Sequence, residues 1–197
     1  MKVDFYFGLG SRYSYLAFSQ IEAIEERTGC TFDLHPLSSS ELIALCGYSP
    51  FTGRPNSGQY EWAYRRRDAV QWAEYYGVPF TEPKPLPEDH RLMARACHAA
   101  CMQGRLRPYC RAMFQAVFVE NLLIDEGRCR EMASVLGLDT TAFTVAMSSG
   151  EAERRVEARA REAFDRGAFG VPTFFAGDRM YWGNDRLVLL ERYLGGN

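Results

Sequence analysis

Hydrophobic and polar positions change their period several times along the chain. Val3-Asp4-Phe5-Tyr6-Phe7 is β-branched and aromatic with partial alternation, the pattern of a core strand. Gly8, Gly10, Ser11 and Ser14 break it. From Tyr15 to Arg27 the apolar residues Leu16, Ala17, Ile21, Ala23 and Ile24 keep a helical period, and Gly29 closes the segment. Thr31 to Leu37 alternates again, so strand, helix and strand follow one another and predict a βαβ unit with parallel strands and a right-handed crossover. From Glu41 to about Arg166 helical patterns dominate. One helix is expected from Gln59 to Tyr76, ending at Gly77-Val78-Pro79, a second from Asp89 to Gln103, and a third after Pro108. Asp125, Asp139 and Ser149 have the side chains of helix caps, and Gly47 to Gly58 has the composition of a loop. At the carboxyl end, Gly170 to Phe175 enters a strand, Gly177-Asp178 is a hairpin turn, Met180-Tyr181-Trp182 returns, and a helix is expected from Asp185 to Tyr193.

Composition narrows the picture. A chain of 197 residues, 47% hydrophobic, can bury one substantial core. With 23 basic and 25 acidic residues, nothing in the charge marks a nucleic-acid or anionic-membrane surface, so a small-molecule partner or a second copy of the chain is expected. The aromatic stretch around Tyr60, Trp62, Tyr64, Trp72, Tyr75 and Tyr76, with Arg65-Arg66-Arg67, reads as a solvated arginine face over an aromatic core face. No apolar run reaches a membrane span, and the first residues lack the pattern of a secretory leader, which gives a cytoplasmic expectation. Cys30, Cys46, Cys97, Cys101, Cys110 and Cys129 contain no C-x-x-C pair and are expected as reduced, mostly core thiols. Cys97 and Cys101 share a helix spacing with His98 beside them, but no second ligand pair follows, and no metal is expected.

A βαβ start and a ββα end around a long helical stretch resemble the thioredoxin plan, with the insertion placed as in DsbA-like disulfide oxidoreductases. The expected fold class is therefore α/β, a thioredoxin-like fold with a large α-helical insertion, of the DsbA-like and kappa-class glutathione transferase architecture. Residues 1-38 and 167-197 would form the thioredoxin-like part and 39-166 the inserted helical subdomain. In this plan the turn from Gly8 to Ser14 opens the first helix, where free N–H groups favour negative charge. Dithiol enzymes place C-x-x-C there, and this chain has Ser11-Arg12-Tyr13-Ser14. Neither serine can form a disulfide. A serine hydroxyl can instead donate a hydrogen bond to a thiolate brought in from outside, that of glutathione, or it can simply cap the helix. No histidine or lysine lies near Ser11 in sequence to make it a nucleophile. Val171-Pro172 occupies the fold's cis-proline position, where the preceding backbone can pair with an extended peptide, and glutathione is one. Trp182-Gly183-Asn184-Asp185 opens the last helix. Asn184 and Asp185 could hold the γ-glutamyl end, Asp185 facing its ammonium, or cap the helix.

Asp4-Phe5-Tyr6-Phe7, Ser11-x-x-Ser14-Tyr15-Leu16-Ala17, Phe169-Gly170-Val171-Pro172-Thr173-Phe174 and Trp182-Gly183-Asn184-Asp185-Arg186-Leu187 together resemble the 2-hydroxychromene-2-carboxylate isomerase family, relatives of the kappa-class glutathione transferases. The middle is similar only in pattern, through Tyr64, Asp68 and the Trp72-Ala73 to Pro79 ending. The resemblance implies a homodimer that binds glutathione through Ser11, the backbone of Val171 and the Trp182–Asp185 segment, and that uses the thiolate for cis–trans isomerisation of 2-hydroxychromene-2-carboxylate-like aromatic-degradation intermediates. Arg12 stands where the family usually has proline, and a substrate-holding lysine has no counterpart near Ile43. Arg12, Arg54 and Asn56 are the expected replacements for substrate binding. A kappa-class-like transferase or peroxidase, or a non-catalytic glutathione-binding protein, are the alternatives.

Overall fold

The computed structural model describes residues 1–47, 61–84, 87 and 89–195. Strands β1 (Lys2–Phe7), β2 (Thr31–Pro36), β3 (Thr173–Ala176) and β4 (Arg179–Trp182) form one sheet in the order β2-β1-β3-β4. β1 runs parallel to β2, with Phe5 opposite Leu34, and antiparallel to β3, with Phe5 opposite Phe174. β4 returns antiparallel to β3 through the turn at Gly177-Asp178. The predicted βαβ and ββα ends therefore meet in one sheet, as the thioredoxin plan requires.

The helix expected from Tyr15 is two helices. α1 (Arg12–Phe18) begins three residues earlier than the apolar period suggests, because Ser11 supplies its N-cap, and α2 (Ile21–Thr28) follows a break at Ser19-Gln20. The Ser19 hydroxyl donates to the Leu16 carbonyl at 2.7 Å, a local bond that competes with helix continuation. Gly29 closes α2 in the left-handed conformation at φ 68°, where glycine carries no Cβ penalty.

Between β2 and β3 the chain is helical: α3 (Ser39–Leu45), α4 (Trp62–Tyr76), α5 (His90–Met102), α6 (Leu106–Phe118), α7 (Glu126–Val135), α8 (Thr140–Met147) and α9 (Gly150–Asp165). Asp125, Asp139 and Ser149 cap the last three by accepting backbone N–H groups, as their residue types suggest. Pro108 falls inside the first turn of α6 rather than ahead of it, where its missing N–H leaves no intrahelical bond unmade. All of the expected 47–58 loop beyond Gly47, and the first two residues of the helix expected from Gln59, lie outside the described residues. Trp62, Tyr64 and Tyr75 on α4 are exposed, so only Trp72 and Tyr76 of its described aromatics pack inward. After β4, a 3₁₀ turn (Asn184–Arg186) precedes α10 (Leu187–Tyr193).

The main core lies between the sheet and the helices. Phe5 stacks on Phe174 with ring centroids 4.5 Å apart, and Phe7, Phe18 and Phe114 continue the contact into α1 and α6. Each such fully buried ring contributes roughly 1.5–3 kcal/mol of transfer free energy. On the other sheet face Tyr6 and Phe175 pack with Leu37, Leu42 and Ala163, which seats α3 and α9. This face anchors the β1 end from which the next turn springs. No helix among the described residues is long and apolar enough to cross a membrane.

Candidate functional site

The loop from β1 to α1 is built by its own serines. The Ser11 N–H donates to the Gly8 carbonyl at 3.0 Å, the Gly8 N–H to Ser14 Oγ at 3.3 Å, and the Ser14 N–H to Ser11 Oγ at 3.3 Å. Ser14 is fully buried and serves as the latch of the turn. Ser11 caps α1 as an acceptor, which uses a lone pair and leaves its hydroxyl proton without an acceptor among the described residues. Capping and donation by one hydroxyl are thus compatible.

Two glycines make room for side chains that reach this turn from far along the chain. A Cβ on Gly8 would stand 2.0 Å from Ser39 Oγ and 3.5 Å from Val171 Cγ2, and one on Gly10 would stand 2.8 Å from His90 Nε2. Ser39 opens α3 and His90 opens α5, so three helix starts converge on residues 8–11. Ser39 Oγ and His90 Nδ1 are buried without a hydrogen-bond partner among the described residues. Burial holds the His90 pKa below the ordinary histidine value, against the opposing pull of the Pro87 carbonyl and Asp89. Neither residue was anticipated from sequence. The glycines announce a close approach, but not which distant residue makes it.

The Val171-Pro172 peptide bond is cis, and Val171 makes no hydrogen bond with a described residue. The Pro172 carbonyl accepts the Gly183 N–H at 2.9 Å, which fixes the proline segment to the end of β4. Trp182 packs on Phe169 at 4.8 Å, and its indole nitrogen occupies the space a Cβ on Gly170 would need. Gly183 has φ 106°, so only glycine passes easily into the 3₁₀ turn. Asn184 is buried; its carbonyl accepts from Tyr76 Oη at 3.1 Å, while its Nδ2 has no partner. Burial pushes the Tyr76 hydroxyl up to about 12, so it stays a donor. Asp185 is half-buried and lies 3.0 Å from its neighbour Arg186. The 3₁₀ turn packs against α1, so the serine turn, the cis-proline and the 182–185 segment form one locus.

Arg12 turns away from open solvent. It is 6% exposed, pairs with Glu82 at 2.5 Å and lies over the Trp62 ring at 5.0 Å, with Nη1 buried and without a hydrogen-bond partner among the described residues. Burial lowers its pKa, and Glu82 opposes that. Arg54 and Asn56 lie outside the described residues. Away from this locus, Asp4, Asp33 and His35 form a group with metal-ligand chemistry, but Lys2 pairs with Asp33 at 2.7 Å, Arg166 with Asp4 at 2.9 Å, and Arg159 lies 2.7 Å from His35 Nδ1. The cluster is an ion-pair network that already has its cations. Cys30, Cys97, Cys110 and Cys129 are buried, Cys46 is half-buried and Cys101 is exposed.

What this locus can do is hold an extended peptide against the bare Val171 backbone and offer the Ser11 hydroxyl proton to an anion beside it. It lacks the cysteine pair that disulfide exchange needs. Comparison with known proteins gives the family and the fold. The family model of DSBA-like thioredoxin domains matches residues 2–195. A 2-hydroxychromene-2-carboxylate isomerase of Pseudomonas putida is 31% identical over 99% of this chain and 95% of its own length. A solved 2-hydroxychromene-2-carboxylate isomerase superposes with TM-score 0.86 at 31% identity, covering 99% of this chain and 95% of that one. A probable DsbA oxidoreductase from Streptomyces coelicolor superposes with TM-score 0.73 at 19% identity, over 98% and 88% of the two chains, a likeness of fold.

Proposed function

The chain belongs to the 2-hydroxychromene-2-carboxylate isomerase family within the DSBA-like thioredoxin domains, and from that premise we propose that it is a glutathione-dependent cis–trans isomerase of 2-hydroxychromene-2-carboxylate-like intermediates. The observation that carries the reading is Ser11. Its oxygen is fixed by the Ser14 N–H while its proton is uncommitted, at the position where a dithiol relative would hold a reactive sulfur.

The residues present fit glutathione. Val171 offers an unpaired N–H and C=O to the peptide backbone, and the buried, unpartnered Nδ2 of Asn184 suits a carboxylate at the γ-glutamyl end. Asp185, half-buried beside it, is the acceptor for the ammonium. When bound, glutathione supplies a sulfur that adds to the unsaturated ring system and is later eliminated, so none is consumed. Ser11 donates a charge-assisted hydrogen bond to that sulfur, lowering the free energy of its anionic form. Trp182 and Phe169 wall the glutathione side with apolar surface. Of the cations expected for a substrate carboxylate, Arg12 already has its charge met by Glu82. Arg54, with Asn56 in the same stretch of sequence, is the better assignment.

The test is conversion of 2-hydroxychromene-2-carboxylate with and without glutathione, alongside calorimetric titration of glutathione into the protein. Turnover that requires glutathione and leaves its concentration unchanged supports the reading. Absence of binding at millimolar glutathione, or turnover without it, overturns it, and a product that carries glutathione would mark a transferase.

A further inference from the structure

His90 is a titratable ring against the serine turn that the chemistry above leaves idle. Gly10 is not in the left-handed region, so its backbone does not call for glycine; the ring does, since a Cβ there would stand 2.8 Å from Nε2 and 2.9 Å from Cδ2. His90 therefore lies on the residue that precedes Ser11. Its Nδ1 is buried without a hydrogen-bond partner among the described residues. The Pro87 carbonyl favours a proton on the ring. A proton carried on the buried Nδ1 leaves the Nε2 lone pair on the turn side.

The charges around it are otherwise engaged. Asp89, the N-cap of the same helix, accepts the Leu92 N–H at 2.7 Å. Arg91 is turned to Glu41, Glu153 and Glu157, and Arg12 to Glu82. From the turn, Leu9, Gly10 and Ser11 bring no charge, and Met93 of α5, which also reaches Gly10, brings none. The ring is a neutral base at neutral pH, since burial keeps its pKa below the usual histidine value.

Resting on the glutathione reading, we propose that His90 is the proton acceptor for the glutathione thiol at Ser11. The S–H bond breaks and an N–H bond forms at Nε2, the electron pair stays on sulfur, and no oxidant or reductant is involved. The resulting thiolate and imidazolium stabilise each other, while the Ser11 hydroxyl donates to the thiolate from the other side. After the sulfur is eliminated, the imidazolium returns its proton to it.

The test uses His90→Gln, and Gly10→Ala, whose Cβ displaces the ring without deleting it. In each variant, S-methylglutathione, which has no thiol proton, binds within about twofold of wild type. Bound glutathione in His90→Gln then titrates above its value in wild type, though still below a free thiol because Ser11 remains. Turnover at neutral pH falls about tenfold and recovers as pH rises through the raised value. Gly10→Ala shows the same pattern to a lesser degree and serves as the readout should His90→Gln fold poorly. An unchanged thiolate titration, or turnover within about twofold of wild type, overturns the proposal with the glutathione reading intact. If wild type itself binds no glutathione, both fall together.

Discussion

Ser11 has two roles that different substitutions separate. Its oxygen caps α1 through a bond of 3.3 Å, slightly long for N–H to O, so the cap contributes toward the low end of the range for such residues, about 0.5–1 kcal/mol. Its proton, on the proposed mechanism, makes a charge-assisted bond to the glutathione thiolate worth about 1.5–3 kcal/mol. At about 1.4 kcal/mol per pKa unit, losing that bond raises the bound thiol by about one to two units. The thiolate fraction near neutral pH then drops about 10- to 30-fold. Ser11→Ala removes both contributions, whereas Ser11→Gly removes the hydroxyl but costs a helix cap only a few tenths of a kcal/mol. Urea unfolding should rank the proteins wild type, Gly variant, Ala variant. Ultraviolet thiolate absorbance and turnover should place the Gly and Ala variants together, far below wild type, with Ser11→Thr restoring both. A Gly variant that keeps near-wild-type turnover while the Ala variant loses it would show that Ser11 acts through the helix alone, and the reasoning would be refuted.

The other expectations concern neighbours of the site and the core. Glu82→Ala strands the buried guanidinium of Arg12 and should cost about 3 kcal/mol in urea unfolding, most of it recovered when Arg12→Met is added. Asp4 has its pKa lowered: burial works against this, but the hydrogen bonds from His35 and Arg166 outweigh it. Its stabilisation is full above the ordinary carboxylate pKa of about 4 and is lost as pH falls through the lower folded value, so Asp4→Asn should flatten the acid side of the stability–pH curve. A thiol reagent should label exposed Cys101 in the native protein, while Cys97, whose thiol burial pushes well up, and Cys110 react only on unfolding; early labelling of Cys97 on a peptide map would contradict the packing. Gly183→Ala forces a Cβ to 2.4 Å from Asp185 Oδ1 at φ 106° and should cost about 1–3 kcal/mol while weakening glutathione binding in calorimetry.

The sequence alone determined whatever depends on residues a few positions apart. The period of Val3 to Phe7, the left-handed glycines Gly29 and Gly77, and the caps Asp125, Asp139 and Ser149 act over a single turn, and the structure has them as read. Ser11-x-x-Ser14 was legible for the same reason: a cap and the absence of a C-x-x-C pair are local facts. The break at Ser19-Gln20 was not, because a helical period continues through it and only the hydroxyl bond to Leu16 marks the stop. Nor did local sequence show that Arg12 would be buried against Glu82, seventy positions away, or that Ser39 and His90 would lie on Gly8 and Gly10. Those approaches are set by how α3, α4 and α5 pack over the sheet. They sum many weak apolar contacts between distant segments, so a proton acceptor beside Ser11 becomes visible only once the chain has folded around it.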